Sequence, residues 1–318
     1  MKSFIKEDLT KKSWTHYLIT LIFLSIGLTV LGQDQGLDES KQYKKTRVST
    51  ETLMGYGIDQ YGKALDIGTK KSTRLFDENG NMTTLIEYNA KSEPVSRTVL
   101  KYSKNNQISA GFEYKGYDKL IEKYTISYSK EGNKIRKSSI LDSSKYEIEY
   151  KYDAKSNLIE KTKYASNKEK VYTYNYIYST ENLLKKELYA SKGISLEKEF
   201  DYDSVGHLIK EKNKTDKLQG YTFVFEYDSV GNKIKETEYS LENIAYEWFE
   251  YAYTEDKMIK TILKYNFRGD ISYAWRYFYD AKKNLEFVKI YEGKDQKLVY
   301  ITHYLYKYFS APVIPTTK

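Results

Sequence analysis

The sequence contains no cysteine and only 3 prolines. The lack of cysteine excludes disulfides, thiolate zinc sites, iron–sulfur clusters and cysteine nucleophiles. Because proline interrupts the hydrogen-bond ladder of a sheet, its scarcity favours a long continuous β-sheet. Histidine is also scarce, and the 3 residues are His16, His207 and His303. A histidine metal site or catalytic triad needs partners gathered in space, so we expect no metal, no cofactor and no enzymatic activity.

Long apolar runs are equally rare. Residues 17–31 form an uncharged apolar run that follows a lysine-containing segment and precedes Gly32. A charged region, a short apolar core and small residues at the end are typical of a secretory signal peptide. A membrane-spanning helix usually needs about 20 apolar residues. We therefore predict a signal peptide over 1–32 that is cleaved before Gln33. The mature protein would be secreted, periplasmic or at the cell surface, without a membrane span. A retained N-terminal anchor is the alternative.

The charge balance is basic but mixed. Lysine and arginine number 52 against 44 acidic residues, which gives a net charge of +8. Most lysines are interleaved with glutamates, a pattern of a solvated surface. A nucleic-acid-binding protein would instead cluster its basic residues on one face, so we expect no nucleic-acid partner.

Tyrosine is the abundant residue, with 35 copies against 12 phenylalanines and 3 tryptophans. Its large amphipathic ring suits half-buried strands. It recurs in a unit of strand, Tyr-Asp or Tyr-Ser, polar turn and second strand, as in EYKYDAKSNLIEKTKY (149–164). The aromatic residue before the turn returns every 24 to 26 residues, at Phe76, Tyr102, Tyr128, Tyr152, Tyr178, Tyr202, Tyr227, Tyr253 and Tyr279. The sequence therefore predicts about nine β-hairpins.

Alternation of residue types predicts how each hairpin lies. In residues 146–152, tyrosines and Ile148 alternate with charged residues, which is the period of a strand with one covered face. About eighteen such strands would twist too strongly to stay flat. We predict an all-β, repetitive antiparallel hairpin meander curled into a spiral or open solenoid-like sheet, with the aromatic face inward and Glu/Lys pairs on the opposite face. Its boundaries are a leader and N-terminal cap over 33–70, repeats over 71–309 and a flexible tail over 310–318.

Two copies, YDSVGHLI (202–209) and YDSVGNKI (227–234), resemble the YD motif of the RHS/YD-repeat family. The resemblance implies long sheets that curl into spirals or shells, in bacterial secreted or cell-surface proteins linked with carbohydrate binding, contact-dependent toxins or adhesion. The unit is slightly longer than in the large family members, and only these two copies have the full Tyr-Asp-x-x-Gly form. We expect no toxin domain after the last repeat. A weaker resemblance is to MORN-like repeats.

The turns and one tryptophan supply the candidate site residues. Six turn residues are interpreted as stabilising the turn conformation. Asp side chains bond the backbone of their own turn, and Gly tolerates left-handed φ. The six residues are Asp153, Asp203, Asp228, Asp280, Gly206 and Gly231. A row of cation-binding carboxylates is the alternative, against which the copies with Ser or Thr argue. Trp248 has the opposite parity to Phe249 and Tyr251, which places it beside Tyr246 on the charged face. Exposed Trp and Tyr together predict a ligand-contact site.

These observations favour an exported, non-enzymatic protein that binds a polysaccharide or a secreted or surface protein, or acts as a scaffold. One alternative is a toxin-associated or immunity-type accessory that binds a protein partner. Another is a hydrolase that uses a carboxylate pair, although no pair stands out in the sequence. The sequence does not specify an oligomeric state.

Overall fold

The computed structural model describes residues 41–215 and 220–310. The predicted signal peptide, residues 33–40 of the predicted leader and cap, and nearly all of the predicted tail lie outside the described residues. A short helix over 41–46 precedes the sheet. The twenty strands are β1 (Val48–Gly57), β2 (Thr69–Phe76), β3 (Met82–Tyr88), β4 (Pro94–Tyr102), β5 (Ile108–Lys115), β6 (Lys119–Tyr128), β7 (Lys134–Leu141), β8 (Ser144–Tyr152), β9 (Leu158–Ala165), β10 (Lys170–Tyr178), β11 (Leu184–Ser191), β12 (Ile194–Tyr202), β13 (Leu208–Thr215), β14 (Tyr221–Tyr227), β15 (Lys233–Tyr239), β16 (Ala245–Tyr253), β17 (Ile259–Asn266), β18 (Ile271–Tyr279), β19 (Leu285–Glu292) and β20 (Lys297–Tyr308).

All twenty strands belong to one antiparallel sheet in which each strand pairs with the next in the chain. The prediction of an all-β hairpin meander is right. The prediction of an open spiral or solenoid is wrong, because β1 also pairs with β20 along its whole length, from Val48↔Tyr308 to Gly57↔Tyr300. The sheet is therefore a closed barrel. Accumulated strand twist has two possible outcomes, coiling or closure, and pairing of the two end strands removes both free edges.

Closure defines two surfaces. We call the side chains that face the inside of the closed sheet the inner wall and those that face away the outer wall. The substantial contacts between strands join hydrogen-bonded neighbours, so opposite parts of the wall stand apart. Twenty strands at ~4.8 Å spacing give a circumference of roughly 95 Å and a backbone diameter of about 30 Å. Such a barrel is too wide for its inner side chains to fill it completely.

The helix over 41–46 fastens the two ends of the sheet. The Tyr43 hydroxyl bonds the carboxylate of Glu51 on β1, and Arg74 on β2 contacts the same carboxylate at 2.7 Å. Tyr43 also packs against Val48 and Phe76 in a small apolar cluster. We call the pairing of β1 with β20 the seam. On the β20 side of the seam, the Gln42 side chain donates to the Lys282 carbonyl at 2.8 Å. The helix thus bridges the first strands and the last repeat turn.

The repeat turns share one conformation. The first turn residue pairs with the fifth, and the amide of the fourth donates back to the carbonyl of the first, as in Gly206 N to Asp203 O at 3.2 Å. The fourth residue has positive φ in every copy, at Gly80, Asn106, Gly132, Ser156, Asn182, Gly206, Gly231, Lys257 and Lys283. This arrangement is a type I turn followed by a left-handed residue. Glycine is only one of the residues that occupy that position here.

A register shift accompanies each turn, next to the aromatic residue that precedes it. In β8, Lys151 pairs with Glu160 and Tyr152 pairs with Leu158, so Ile159 is an extra residue. We call the second strand of each repeat hairpin the return strand. After the bulge, each residue of the return strand faces the wall opposite to the one that strict alternation along the chain would predict. Leu158 and Lys161 consequently both face the inner wall.

Candidate functional site

The inner wall of β10 and β11 carries a group of tyrosines that are partly exposed to the interior of the barrel. The Tyr174 ring lies 5.6 Å from Tyr172, 6.3 Å from Tyr176 and 4.8 Å from Tyr189, measured between centroids. Burial raises the pKa of Tyr174, so its hydroxyl stays protonated at neutral pH. Flat rings with protonated hydroxyls at their edges offer both apolar area and hydrogen bonds to a ligand.

Charged side chains stand between these rings. Lys161 on β9 pairs with Tyr174, and Glu187 on β11 pairs with Tyr176. Burial raises the pKa of Glu187, and the Lys198 charge opposes that rise. Glu/Lys pairs do lie on the opposite, outer wall, as in Lys151 with Glu160 at 2.9 Å, but charged side chains also stand on the aromatic face. The bulge after each repeat turn places lysines and glutamates of the return strands on the inner wall. They lie there beside the tyrosines of the first strand of each hairpin.

A second polar group occupies the inner wall of β5 to β8. Ser139 and Tyr146 donate hydroxyl hydrogen bonds to Glu122, and Lys137 contacts the same carboxylate at 3.1 Å. Burial raises the pKa of Glu122, but these hydrogen bonds outweigh it and hold that pKa below its usual value. Across the strand pair, burial and the neighbouring Glu122 charge raise the pKa of Glu113. No feature of the amino-acid sequence singles out this pair of carboxylates with opposite pKa shifts.

The inner wall of β16 to β20 is sealed rather than open. Tyr251, Ile262 and Trp275 are at most 8% exposed and belong to one apolar cluster with Val288 and Ile290. Burial raises the pKa of Tyr251, and the hydrogen bond of its hydroxyl to Glu236 acts in the same direction. These aromatic side chains pack against one another, so this part of the inner wall is the core of the barrel.

Trp248 and Tyr246 lie on the outer wall. The Trp248 ring stacks on Tyr265 at 5.0 Å and 8°, and the Lys235 ammonium lies 5.6 Å from its centroid on the neighbouring strand. Its indole N–H donates to Glu250 at 3.3 Å. Tyr246 is 50% exposed. Trp248 is thus half-buried among side chains of its own wall, with its ring faces directed at neighbouring strands.

The turn aspartates bind their own turns. Asp153 accepts the backbone amides of Lys155 and Asn157 at 2.9 and 2.8 Å, and its second oxygen accepts the Asn157 side chain. The turns that begin at Asp203, Asp228 and Asp280 repeat these backbone bonds. His207 contacts Asp203 at 2.9 Å in the position of that side-chain bond. Gly206 and Gly231 adopt φ of 94° and 87°.

The remaining histidines do not join this site. His303 lies on the outer wall, with its ring 4.2 Å from Phe287, and burial lowers its pKa. His16 lies outside the described residues. Over residues 41–215 and 220–310, no group of three or more His, Asp or Glu side chains is placed to hold a metal ion. Within the same residues, none of the helices has the length and apolar character needed to cross a membrane.

Comparison with known proteins gives distant structural neighbours only. No protein-family model matches the chain, and no characterised protein matches its sequence. One solved structure is TcdB2-TccC3 without its hypervariable C-terminal region, at 12% identity and a TM-score of 0.37; the match covers 79% of this chain and 16% of that one. Another is a porin-like protein from Bacteroides uniformis ATCC 8492, at 10% identity and a TM-score of 0.35, covering 82% of this chain and 97% of that one. The chain thus spans about a sixth of the first neighbour.

Proposed function

We propose that this chain is an exported, non-enzymatic β-repeat protein that binds polysaccharide along the open part of its inner wall. The observation that supports this proposal is the group of partly exposed rings on β10 and β11, centred on Tyr174. Sugar rings stack on flat aromatic surfaces, and flanking polar groups such as Glu187 and Lys161 can bond their hydroxyls.

Export is part of the same proposal. The apolar run over 17–31, with lysines before it and Gly32 after it, is typical of a signal peptide. A protein without disulfides can persist outside the cytoplasm if its hydrogen-bond ladder has no free edge, and closure provides this. The repeat motifs resemble those of RHS/YD proteins, and the proposed family assignment rests on these motifs.

A glycan-array and cell-wall-polysaccharide screen on the purified full chain tests the proposal. We expect Tyr174→Ala together with Tyr189→Ala to abolish binding to whichever glycan is retained. The matched control is Trp248→Ala with Tyr246→Ala, which also removes two aromatic rings but from the outer wall. Loss of binding only in the control pair would move the site to Trp248. Absence of binding to every glycan by a folded chain would overturn the proposal.

A protein-binding accessory is a second candidate, and one observation favours it. Large apolar side chains are exposed in the connections at the rim opposite the repeat turns. In the β15–β16 and β17–β18 connections, Phe267 is 65%, Ile244 62% and Leu241 56% exposed. Exposed apolar residues gathered at one edge are typical of a contact surface. If this rim holds a partner protein, Phe267→Ser with Ile244→Ser should abolish copurification of that partner while glycan binding stays absent.

A further inference from the structure

Three inner-wall lysines have no carboxylate within ion-pair distance among the described residues. They are Lys134 on β7 and Lys161 and Lys163 on β9, and all three are half-buried. Several other inner-wall lysines are paired. Contacts of 3.1, 2.6 and 2.7 Å join Lys198 to Glu211, Lys233 to Glu236 and Lys264 to Glu247. Lys71 on β2, 5.9 Å from the Tyr300 centroid, also has no ion pair among the described residues. The three lysines of β7 and β9 differ from it in lying close together on the two strands that flank β8.

These ammonium groups lie against tyrosine rings. The Lys163 ammonium is 3.9 Å from the Tyr146 centroid, and Lys134 is 4.8 Å from the Tyr150 centroid. On β9, Lys161 lies 5.2 Å from the Tyr174 centroid. Cation–π contacts hold each side chain in place. Burial lowers the pKa of Lys161, and the Glu187 charge opposes that shift. Positive charge is thus held between ring faces that are partly open to the interior.

The register makes this arrangement compact. Lys163 and Lys137 flank Ile148 on either side, and Lys161 pairs with Tyr150. Twice the ~4.8 Å strand spacing separates the two flanking lysines by roughly 10 Å. The lysine charges also act on one another. Burial lowers the pKa of Lys134, as do the charges of Lys137 and Lys161. A bound anion would relieve this repulsion and the desolvation together.

We propose that Lys134, Lys161 and Lys163, with the rings of Tyr146, Tyr150 and Tyr174, form a site for an anionic polysaccharide. The lysines bind carboxylate or sulfate groups of the sugar, and the tyrosines stack on its rings. This inference rests on the proposed glycan-binding function and narrows it to acidic glycans. An acidic peptide would neutralise the lysine charges without offering a sugar ring to the tyrosines. A nucleic acid can stack its bases on tyrosines, so it is compared directly with the acidic glycans.

The first experiment measures affinity of the purified full chain for polygalacturonate, alginate and dextran sulfate at low salt. Fully methyl-esterified polygalacturonate is the neutral match for the first polymer, and polyglutamate and single-stranded DNA supply anionic charge without an acidic sugar. We expect at least one acidic glycan to bind at least tenfold more tightly than the ester, polyglutamate or DNA. Equal binding of the ester would overturn the inference and leave the glycan function standing. Equal binding of polyglutamate or DNA would also overturn it. No glycan binding at all would overturn both.

The second experiment locates the site. Lys161→Gln with Lys163→Gln removes two inner-wall charges and should weaken acidic-glycan binding by about tenfold or more, since each is a charge-assisted contact. The matched control is Lys210→Gln with Lys212→Gln on β13, which has the same spacing and net charge change. These residues pair with Val224 and Thr222 on the outer wall. We expect the control to bind as the native chain does. An equal loss in both variants would show that binding follows net charge and would overturn the site.

Discussion

At the scale of single residues, seven of the eight tyrosines that precede a repeat turn, and Tyr306 on β20, share a specific structural role. The hydroxyl of each of these tyrosines donates to the carbonyl of the first residue in the second strand of the preceding hairpin, beside the bulge that interrupts the ladder. The pairs run from Tyr102 and Met82 to Tyr306 and Leu285, at 2.7 to 3.1 Å. The first copy has no preceding repeat, and there the position is occupied by Phe76. The hydroxyl therefore explains why tyrosine recurs where phenylalanine would bury similar area.

Removal of one such hydroxyl should be measurable. We expect Tyr152→Phe to lower the free energy of unfolding by about 1 kcal/mol, because the Lys134 carbonyl loses a 2.9 Å hydrogen bond. Equilibrium urea denaturation checks this. Tyr164→Phe on the outer wall of β9 is the control and should change stability little. Equal effects of the two substitutions would contradict the role assigned to the hydroxyl.

The fourth turn residue gives a second residue-scale prediction. Gly206→Ala places a Cβ on a backbone with φ of 94° and should cost about 1–2 kcal/mol. Gly206→Asn should cost less, since Asn182 adopts a φ of 71° at the same position of another repeat. The measurement is the midpoint of thermal or urea unfolding for both variants. An alanine variant as stable as the asparagine variant would show that this turn relaxes to another conformation.

At the scale of strands and turns, the sequence predicted the hairpins but not the orientation of every return strand. Alternating residues and the spacing of Tyr-Asp pairs located the strands and turns. The bulged residue, Ile159 in the β8–β9 hairpin, has no distinctive sequence signature, because any residue can be the extra one. Its effect is to bring Lys161 and Lys163 to the inner wall. The candidate site could not be predicted for this reason, since it depends on the parity that the bulge reverses.

The buried strand pairs also respond to pH. Hydrogen bonds from Ser139, Tyr146 and Lys137 hold the pKa of Glu122 below its unfolded value, despite burial. Its stabilising contribution is therefore complete above about pH 4.5 and is lost as the pH falls through the folded-state pKa. We expect Glu122→Gln to destabilise the protein by about 2 kcal/mol at pH 7 and by much less near pH 3. Denaturation curves between pH 7 and 3 measure this difference.

The control for that experiment is Glu149→Gln on the outer wall. Glu149 contacts Arg136 at 3.1 Å with both side chains substantially exposed, and exposed ion pairs contribute little. Its effect on stability should be small at every pH. A difference between native and Glu122→Gln proteins that stays constant with pH would show that the ionised form of Glu122 is not the stabilising one.

At the scale of the whole molecule, closure is the feature that sequence reasoning missed. Nineteen of the strand pairings join neighbours in the chain, but the pairing of β1 with β20 joins its two ends. Residues 48–57 contain no Tyr-Asp motif that would relate β1 to the repeats. The contacts that fasten the seam, from Tyr43 to Glu51 and from Gln42 to Lys282, involve residue types with no periodic pattern. At Gly55, the missing side chain leaves room for the Tyr300 ring at this seam.

Engineered cysteines test closure directly, because the native chain has none. Thr52 on β1 pairs with Leu305 on β20. Thr52→Cys with Leu305→Cys should form an intramolecular disulfide, since paired residues of antiparallel strands have suitable Cα separations. A mobility shift under non-reducing electrophoresis would report it. Thr52→Cys with Val224→Cys is the control and should not cross-link within one chain. Disulfide-linked dimers without the intramolecular species would indicate an open sheet.

The seam also separates two stages of folding. Strands that are neighbours in the chain are joined by short loops, so their pairings can form one after another during synthesis. The pairing of β1 with β20 instead closes a loop of about 250 residues. Until that step is complete, β1 and β20 are free edges that another chain can pair with. The rate of barrel folding and the extent of aggregation in the cell should therefore depend on this one late event. The helix over 41–46 stabilises the closed state, because it contacts both ends of the sheet.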